Sequence, residues 1–157
     1  MKMTWDYIAG FFDGEGSIIH NGKGYRATIS QTDLDVLERI KQFLGYGQIF
    51  KTTKRKAHWK ESWVYYIARQ KDVYHFLVAI ENHLIVKQQT ASKAIPILKN
   101  KIKLQIEREL KSEKNIVETK KLRKEGLTYR RIGRELGISW SHARRIILKH
   151  GGSSSVG

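Results

Sequence analysis

Two carboxylates separated by a single glycine stand out in this chain: Asp13-Gly14-Glu15-Gly16 follows directly on an apolar and small-residue run from Tyr7 to Phe12. The run reads as a buried helix, with Gly14 and Gly16 expected to supply the flexible exit that ends it. Acids are disfavoured there, because the free carbonyls of a last helical turn cost an acidic side chain ~0.3–1 kcal/mol. A divalent cation would offset that cost, since hard cations take carboxylate and carbonyl oxygens together. Ala9 and Gly10 are small and adjacent, so a second backbone could approach this helix closely. Were two copies to pair along it, their acidic ends would meet. Bare carboxylates at that distance repel or protonate, whereas metal ions would hold them together as a phosphoryl-transfer site. An ordinary core helix with a solvated acidic turn accounts for the residue types equally well.

The elements that must position these groups follow in a regular order. Ser17–Asn21 and Tyr25–Gln31 are strand-like around Gly22-Lys23-Gly24. In the second, Tyr25, Ala27 and Ile29 alternate with Arg26, Thr28 and Ser30, which predicts one buried face and one polar, mildly basic face. Asp33–Leu44 has helical spacing, with Thr32 or Asp33 as cap and Gly45 as stop. A second hairpin, Gln48–Thr53 and Ser62–Arg69, carries Lys54, Arg55 and Lys56 in its loop; such crowded charge requires an anionic partner. In Gln48–Thr53 the faces are ambiguous, because Ile49 and Lys51 share a side. Asp72–Ile80 is a short helix, and Lys87–Asn100 another in which Pro96 demands a kink or a first-turn position. The fold class expected is α+β: an αββαββα core whose four antiparallel strands carry helices on one face.

The chain of 157 residues holds this core over residues 1–98, a Lys- and Glu-rich helical extension over 99–115 that could break at Ser112, a small all-α module over 116–150, and a polar, disordered tail over 151–157. There is no cysteine, so disulfides and thiolate metal sites are excluded. No segment is apolar for long enough to span a bilayer and no secretion signal opens the chain, which points to an intracellular, soluble protein with no membrane partner. Net charge is +15, from 30 basic and 15 acidic side chains. It is spread evenly: residues 1–98, 99–125 and 126–157 each carry an excess of five. A polyanion laid across the whole chain, bound with strong salt dependence, fits that distribution.

In the C-terminal module Thr128 caps a helix holding Ile132 and Leu136, Gly137-Ile138 makes a tight turn, and Ser139 caps a final helix with Ala143, Ile146 and Ile147 inward. Ile132-Gly133-Arg134-Glu135-Leu136-Gly137-Ile138-Ser139 resembles the turn signature of a helix-turn-helix DNA-binding module, with Gly133 in place of the usual alanine. That resemblance places Trp140, Ser141, Arg144 and Arg145 at the major groove. A basic three-helix bundle that contacts protein is the competing reading.

The stretch Ile8-Ala9-Gly10-Phe11-Phe12-Asp13-Gly14-Glu15-Gly16 closely resembles the signature of the LAGLIDADG homing endonucleases. The resemblance implies motif helices paired at a two-fold interface through Ile8, Ala9, Gly10, Phe12 and Asp13. It implies that Glu15, where the family more often has Asp, binds catalytic metal with the carbonyl of Gly14. Gln31 corresponds to a glutamine of the active-site water network and Lys87 to the active-site lysine. A saddle-shaped sheet lying on double-stranded DNA is also implied. Asn21, Lys23, Arg26, Thr28, Ser30, Gln48 and Tyr66 are then expected at the bases, and Lys54, Arg55 and Lys56 on phosphate. Mg²⁺ is the expected cofactor, with Mn²⁺ substituting and Ca²⁺ binding without cleavage. No second motif copy exists, so a homodimer on a pseudo-palindromic site follows, with no small-molecule substrate. A non-cleaving DNA-binding regulator and an intron RNA maturase are the alternatives.

Overall fold

The computed structural model describes residues 2–53, 58 and 60–150. Lys54, Arg55 and Lys56, expected on phosphate, lie outside the described residues, as does the tail over 151–157. The chain divides into two compact units, residues 1–102 and 103–157.

The first unit opens with α1, Trp5–Glu15, whose N-terminus is capped by Thr4: its hydroxyl accepts from the Tyr7 N–H at 3.2 Å. Two strands follow, β1 (Gly16–His20) and β2 (Tyr25–Gln31), then α2 (Leu34–Leu44), β3 (Gln48–Lys51), β4 (Trp63–Ile67) and α3 (Gln70–Ile80). A 3-10 turn, Glu81–His83, leads to α4, Gln88–Lys124. This is the expected α+β order. The four strands form one antiparallel sheet in the order β1-β2-β4-β3.

Register sorts the side chains into two faces, since alternate residues of a strand point oppositely. Gly16, Ile29, Tyr65 and Ile49 stand opposite one another on the inward face; Ser17, Thr28, Tyr66 and Gln48 do so on the outward face. The inward side chains meet the apolar stripes of the helices. Ile8 and Phe12 of α1, Leu37 and Ile40 of α2, and Phe76, Leu77 and Ile80 of α3 are fully buried with Ile29 and Ile67. The Phe12 and Phe76 rings meet edge to face at 5.0 Å. Each such side chain contributes about 1.5–3 kcal/mol on leaving water, which fixes α1 against the sheet. Ile49 is half-buried among these groups, whereas Lys51 on the same side sits past the core and pairs with Glu61 at 2.7 Å.

Three expectations change. Gly14 does not end α1: the helix continues to Glu15, and its C-cap Gly16 has extended, not left-handed, backbone (φ −86°). Gly16 is needed for space, since a Cβ there would stand 2.2 Å from the Phe12 ring. Second, α4 is a single helix of 37 residues that contains Pro96 and passes Ser112 without a break. Pro96 has no N–H for the Ser92 carbonyl, and both residues are exposed. Third, Ile8, Ala9 and Phe12 of α1 are buried in the protomer's own core.

The second unit contains the end of α4 together with α5 (Tyr129–Leu136) and α6 (Trp140–His150). Thr128 and Ser139 cap the two helices through Arg131 and His142 N–H groups. Ile132, Gly133, Ala143 and Ile146 are buried, and Gly137 turns the chain in left-handed conformation (φ 64°). A Cβ on Gly133 would lie 2.7 Å from the Ile138 carbonyl oxygen. Glycine there permits the close approach of the turn to α5.

Candidate active site and nucleic-acid interface

The C-terminal end of α1 is tied to the start of α4 by one side chain. Asp13 accepts hydrogen bonds from the backbone N–H groups of Ile85 (2.8 Å), Val86 (2.9 Å) and Lys87 (2.8 Å). The Lys87 ammonium returns along the same path and donates to the Asp13 carbonyl oxygen. Burial pushes the Asp13 carboxyl pKa up, but the three N–H donors and the Lys87 charge outweigh it and hold the group below the ordinary carboxylate value. The apparent cost of an acid at this helix end is thus met for Asp13 by the N–H groups leading into α4, without a metal. Lys87 is thereby anchored to a residue that precedes Glu15 by one glycine.

Glu15 differs. It is exposed, and within the described residues its carboxylate has no hydrogen bond or ion pair. It closes α1, beside the last carbonyls that a helix leaves without internal partners. Carboxylate and carbonyl together are a hard-oxygen donor set suited to Mg²⁺ or Ca²⁺. Among the described residues no group of three or more His, Cys, Asp or Glu side chains is placed to hold a metal ion. Gln31 ends β2 at the edge of the sheet where β1 leaves α1, since Gly16 pairs with Ile29. Its side-chain oxygen is engaged by the Thr32 N–H at 2.8 Å, leaving its NH₂ group to donate.

On the outward sheet face lie Arg26, Thr28 and Ser30 of β2, Tyr66 of β4 and Gln48 of β3. The Arg26 guanidinium sits 5.9 Å from the Tyr66 ring centroid. Lys23 is exposed at the hairpin tip. Asn21 shapes the turn, because its side-chain oxygen accepts from the Lys23 and Gly24 N–H groups. A base contact by Asn21 is therefore confined to its NH₂ group. In α6, Trp140, Ser141, Arg144 and Arg145 are all exposed, and Arg145 is paired with the His142 ring at 2.8 Å.

The residues expected at an interface on α1 are placed differently from one another. Ile8, Ala9 and Phe12 are wholly covered within the protomer, so they have no surface left to give to a second chain, and Asp13 is committed to the residues before α4. Besides Asp6 and Glu15, α1 exposes Gly10 and Gly14, one helical turn apart, each with nothing within 4 Å of where a Cβ would stand. Nearby in sequence to Lys87, Ile85 and Val86 are 87% and 76% exposed. Sequence reasoning misses both. Their apolar character is visible in residue order, but not that Asp13 draws their backbone in and leaves their side chains out.

Against known families, a model described as a LAGLIDADG-like domain matches residues 5–81, from the first residue of α1 to the start of the 3-10 turn. Residues 5–81 thus form a LAGLIDADG-like domain. Among solved structures, the chain is similar to the homing endonuclease I-CvuI in complex with its target (17% identity, TM-score 0.50, 96% of each chain covered). It is also similar to the homing endonuclease I-TnaI (20% identity, TM-score 0.51, 95% of this chain and 99% of that one). A third is a double mutant of I-SmaMI (22% identity, TM-score 0.50, 64% of this chain but 39% of that one). At these identities the likeness is one of fold. No curated protein matches the chain. No helix among the described residues is long and apolar enough to cross a membrane.

Proposed function

We propose that the protein is a site-specific DNA endonuclease of the homing type, acting as a homodimer on a long pseudo-palindromic duplex and hydrolysing one phosphodiester in each strand. The observation that carries this is Glu15: a carboxylate without a partner among the described residues, at the end of a LAGLIDADG-like helix, in a chain of net charge +15. The similar homing endonuclease I-CvuI was solved in complex with its target in the presence of Ca. Glu15 and the Gly14 carbonyl would hold a divalent ion, Mg²⁺ in the active state, with Mn²⁺ substituting and Ca²⁺ supporting binding alone. Such an ion, when bound, supplies a more acidic water and neutralises charge at the scissile phosphate.

The chain's own groups do the rest. Lys87, held by the Asp13 clamp, stabilises charge developing on the phosphate, and the free NH₂ of Gln31 orients water. Arg26, Thr28, Ser30, Gln48 and Tyr66 face the bases, while Lys23 and the loop cations Lys54, Arg55 and Lys56 grip phosphate. The C-terminal unit serves as a helix-turn-helix module, with Trp140, Ser141, Arg144 and Arg145 on flanking duplex.

Dimerisation follows from incompleteness. One chain has one motif and one acidic ligand, and two scissile strands need two. Gly10 and Gly14 leave room for a second α1, and exposed Ile85 and Val86 add apolar surface at the same end. Sedimentation at micromolar concentration should show a dimer; a monomer there would count against it. The principal test is a supercoiled-plasmid assay carrying a site selected from a randomised duplex library, with and without Mg²⁺. Metal-dependent linearisation at one two-fold site supports the enzyme. Tight binding without cutting would instead make the protein a regulator, and competition by intron RNA would favour the maturase.

A further inference from the structure

The outward sheet face is polar along β2, yet β3 presents a phenyl ring on it. Phe50 is 52% exposed and stands in the row of Val64 and Ser30. A single exposed phenylalanine means little by itself. This one is held. Its ring meets Tyr66 nearly edge to face (6.2 Å between centroids, 72° between planes), and Tyr66 in turn lies under the Arg26 guanidinium at 5.9 Å. Three strands thus contribute one side chain each to a connected cluster. Arg26 makes no hydrogen bond or ion pair within the described residues, and its Nε is buried without an acceptor. Among the described residues the donors of Arg26 are uncommitted, and half of the Phe50 side chain is open to solvent.

The occupant must be anionic overall, given the charge of the chain, yet must offer Phe50 something apolar. A DNA major groove meets both demands. Its floor is a set of donors and acceptors with one apolar exception, the 5-methyl group of thymine. The favourable contact open to a side chain unable to hydrogen-bond is with that methyl. Arg26 stands opposite Ile19, in a different row from Phe50, so the two side chains address different base pairs.

We infer that Phe50 is a specificity-determining residue that selects thymine at one position in each half-site by packing on its 5-methyl group. The inference rests on the proposed function, with the outward sheet face against the major groove.

The experiment uses the full chain, a duplex recovered by cleavage selection, and a series of duplexes in which single thymines become uracil. That change removes the methyl and leaves every hydrogen-bonding group in place. Affinities are measured in Ca²⁺. For the wild type, one thymine per half-site should show a loss of about fourfold, the value of one buried methyl. Phe50→Ala should bind the thymine and uracil duplexes equally, while Phe50→Leu should retain a preference for thymine. Thermal melting of both variants checks that the fold survives. Wild-type indifference to uracil at every position, or an undiminished methyl preference in Phe50→Ala, overturns the inference and leaves the endonuclease reading standing. Failure to recover any bound or cleaved duplex removes that reading, and this inference falls with it.

Discussion

The two units of the chain are almost equally basic but are held together differently. Residues 1–102 carry 16 basic and 9 acidic side chains, net +7, and residues 103–157 carry 14 and 6, net +8. The first unit has large rings and branched side chains sealed between a four-stranded sheet and its helices, plus the Asp13 clamp that ties α1 to the start of α4. The second relies on Ile132, Ala143 and Ile146 and on the tight approach of its turn to Gly133. Charge alone can attract DNA, and both units have it. Placing a carboxylate and an ammonium group to within fractions of an ångström needs a rigid support, and the clamp supplies it in the first unit only.

That contrast can be broken in four places, in descending order of effect. Glu15→Gln should lower cleavage roughly 10³-fold, the several kcal/mol a metal ligand brings to phosphoryl transfer, while DNA binding measured by gel shift persists. Retained cleavage would remove Glu15 from the chemistry. Asp13→Ala should cost about 2–3 kcal/mol of stability through its lost charge-assisted bonds, read as a lower melting temperature of the first unit, and should also slow cleavage by freeing Lys87. The folded Asp13 carboxyl sits below its ordinary value. Its contribution is therefore complete above about pH 4 and fades as pH falls through the folded value. The difference between wild type and Asp13→Ala should close in acid and stay constant from neutral pH upward.

The second unit should respond in binding and not in chemistry. Replacing Arg144 and Arg145 together by alanine should reduce the salt dependence of DNA affinity by about two units of log–log slope, with the single-turnover rate on bound substrate unchanged. A slower chemical step would show that the second unit helps to build the catalytic site. The smallest effect is expected for Gly133→Ala. Helix propensity favours alanine by about 1 kcal/mol, but a Cβ 2.7 Å from the Ile138 carbonyl forces the turn away, an overpacking cost of roughly 1–3 kcal/mol. Faster amide exchange in α5 and α6, without change in the first unit, is the expected sign.

Much of the fold is legible in residue order. The strand of Arg26, Thr28 and Ser30 alternating with Ala27 and Ile29 declares its two faces, because a period of two leaves no other arrangement. Asp33, Thr128 and Ser139 sit where helix starts need an acceptor and are recognisable as caps; Thr4 does the same work but is hidden by its place near the chain's beginning. Two further readings fail for one reason, that a residue type does not say what surrounds it. Ala9 and Gly10 look alike as small neighbours, but consecutive helical positions point about 100° apart, so one is sealed in the core and the other is open. Ser112 looks like an interruption, yet the exposed face of the helix carries it and the helix runs on to Lys124.

Residue order alone determined that an acid pair follows an apolar helix, that the sheet alternates, and that positive charge runs the length of the chain, since these are properties of composition and period. Only the tertiary structure decided which acid is structural and which is free. Asp13 and Glu15 are chemically near-equivalent and two residues apart. The N–H groups that capture Asp13 come from residues more than seventy positions away, and no local pattern encodes which of two carboxylates a distant backbone will meet.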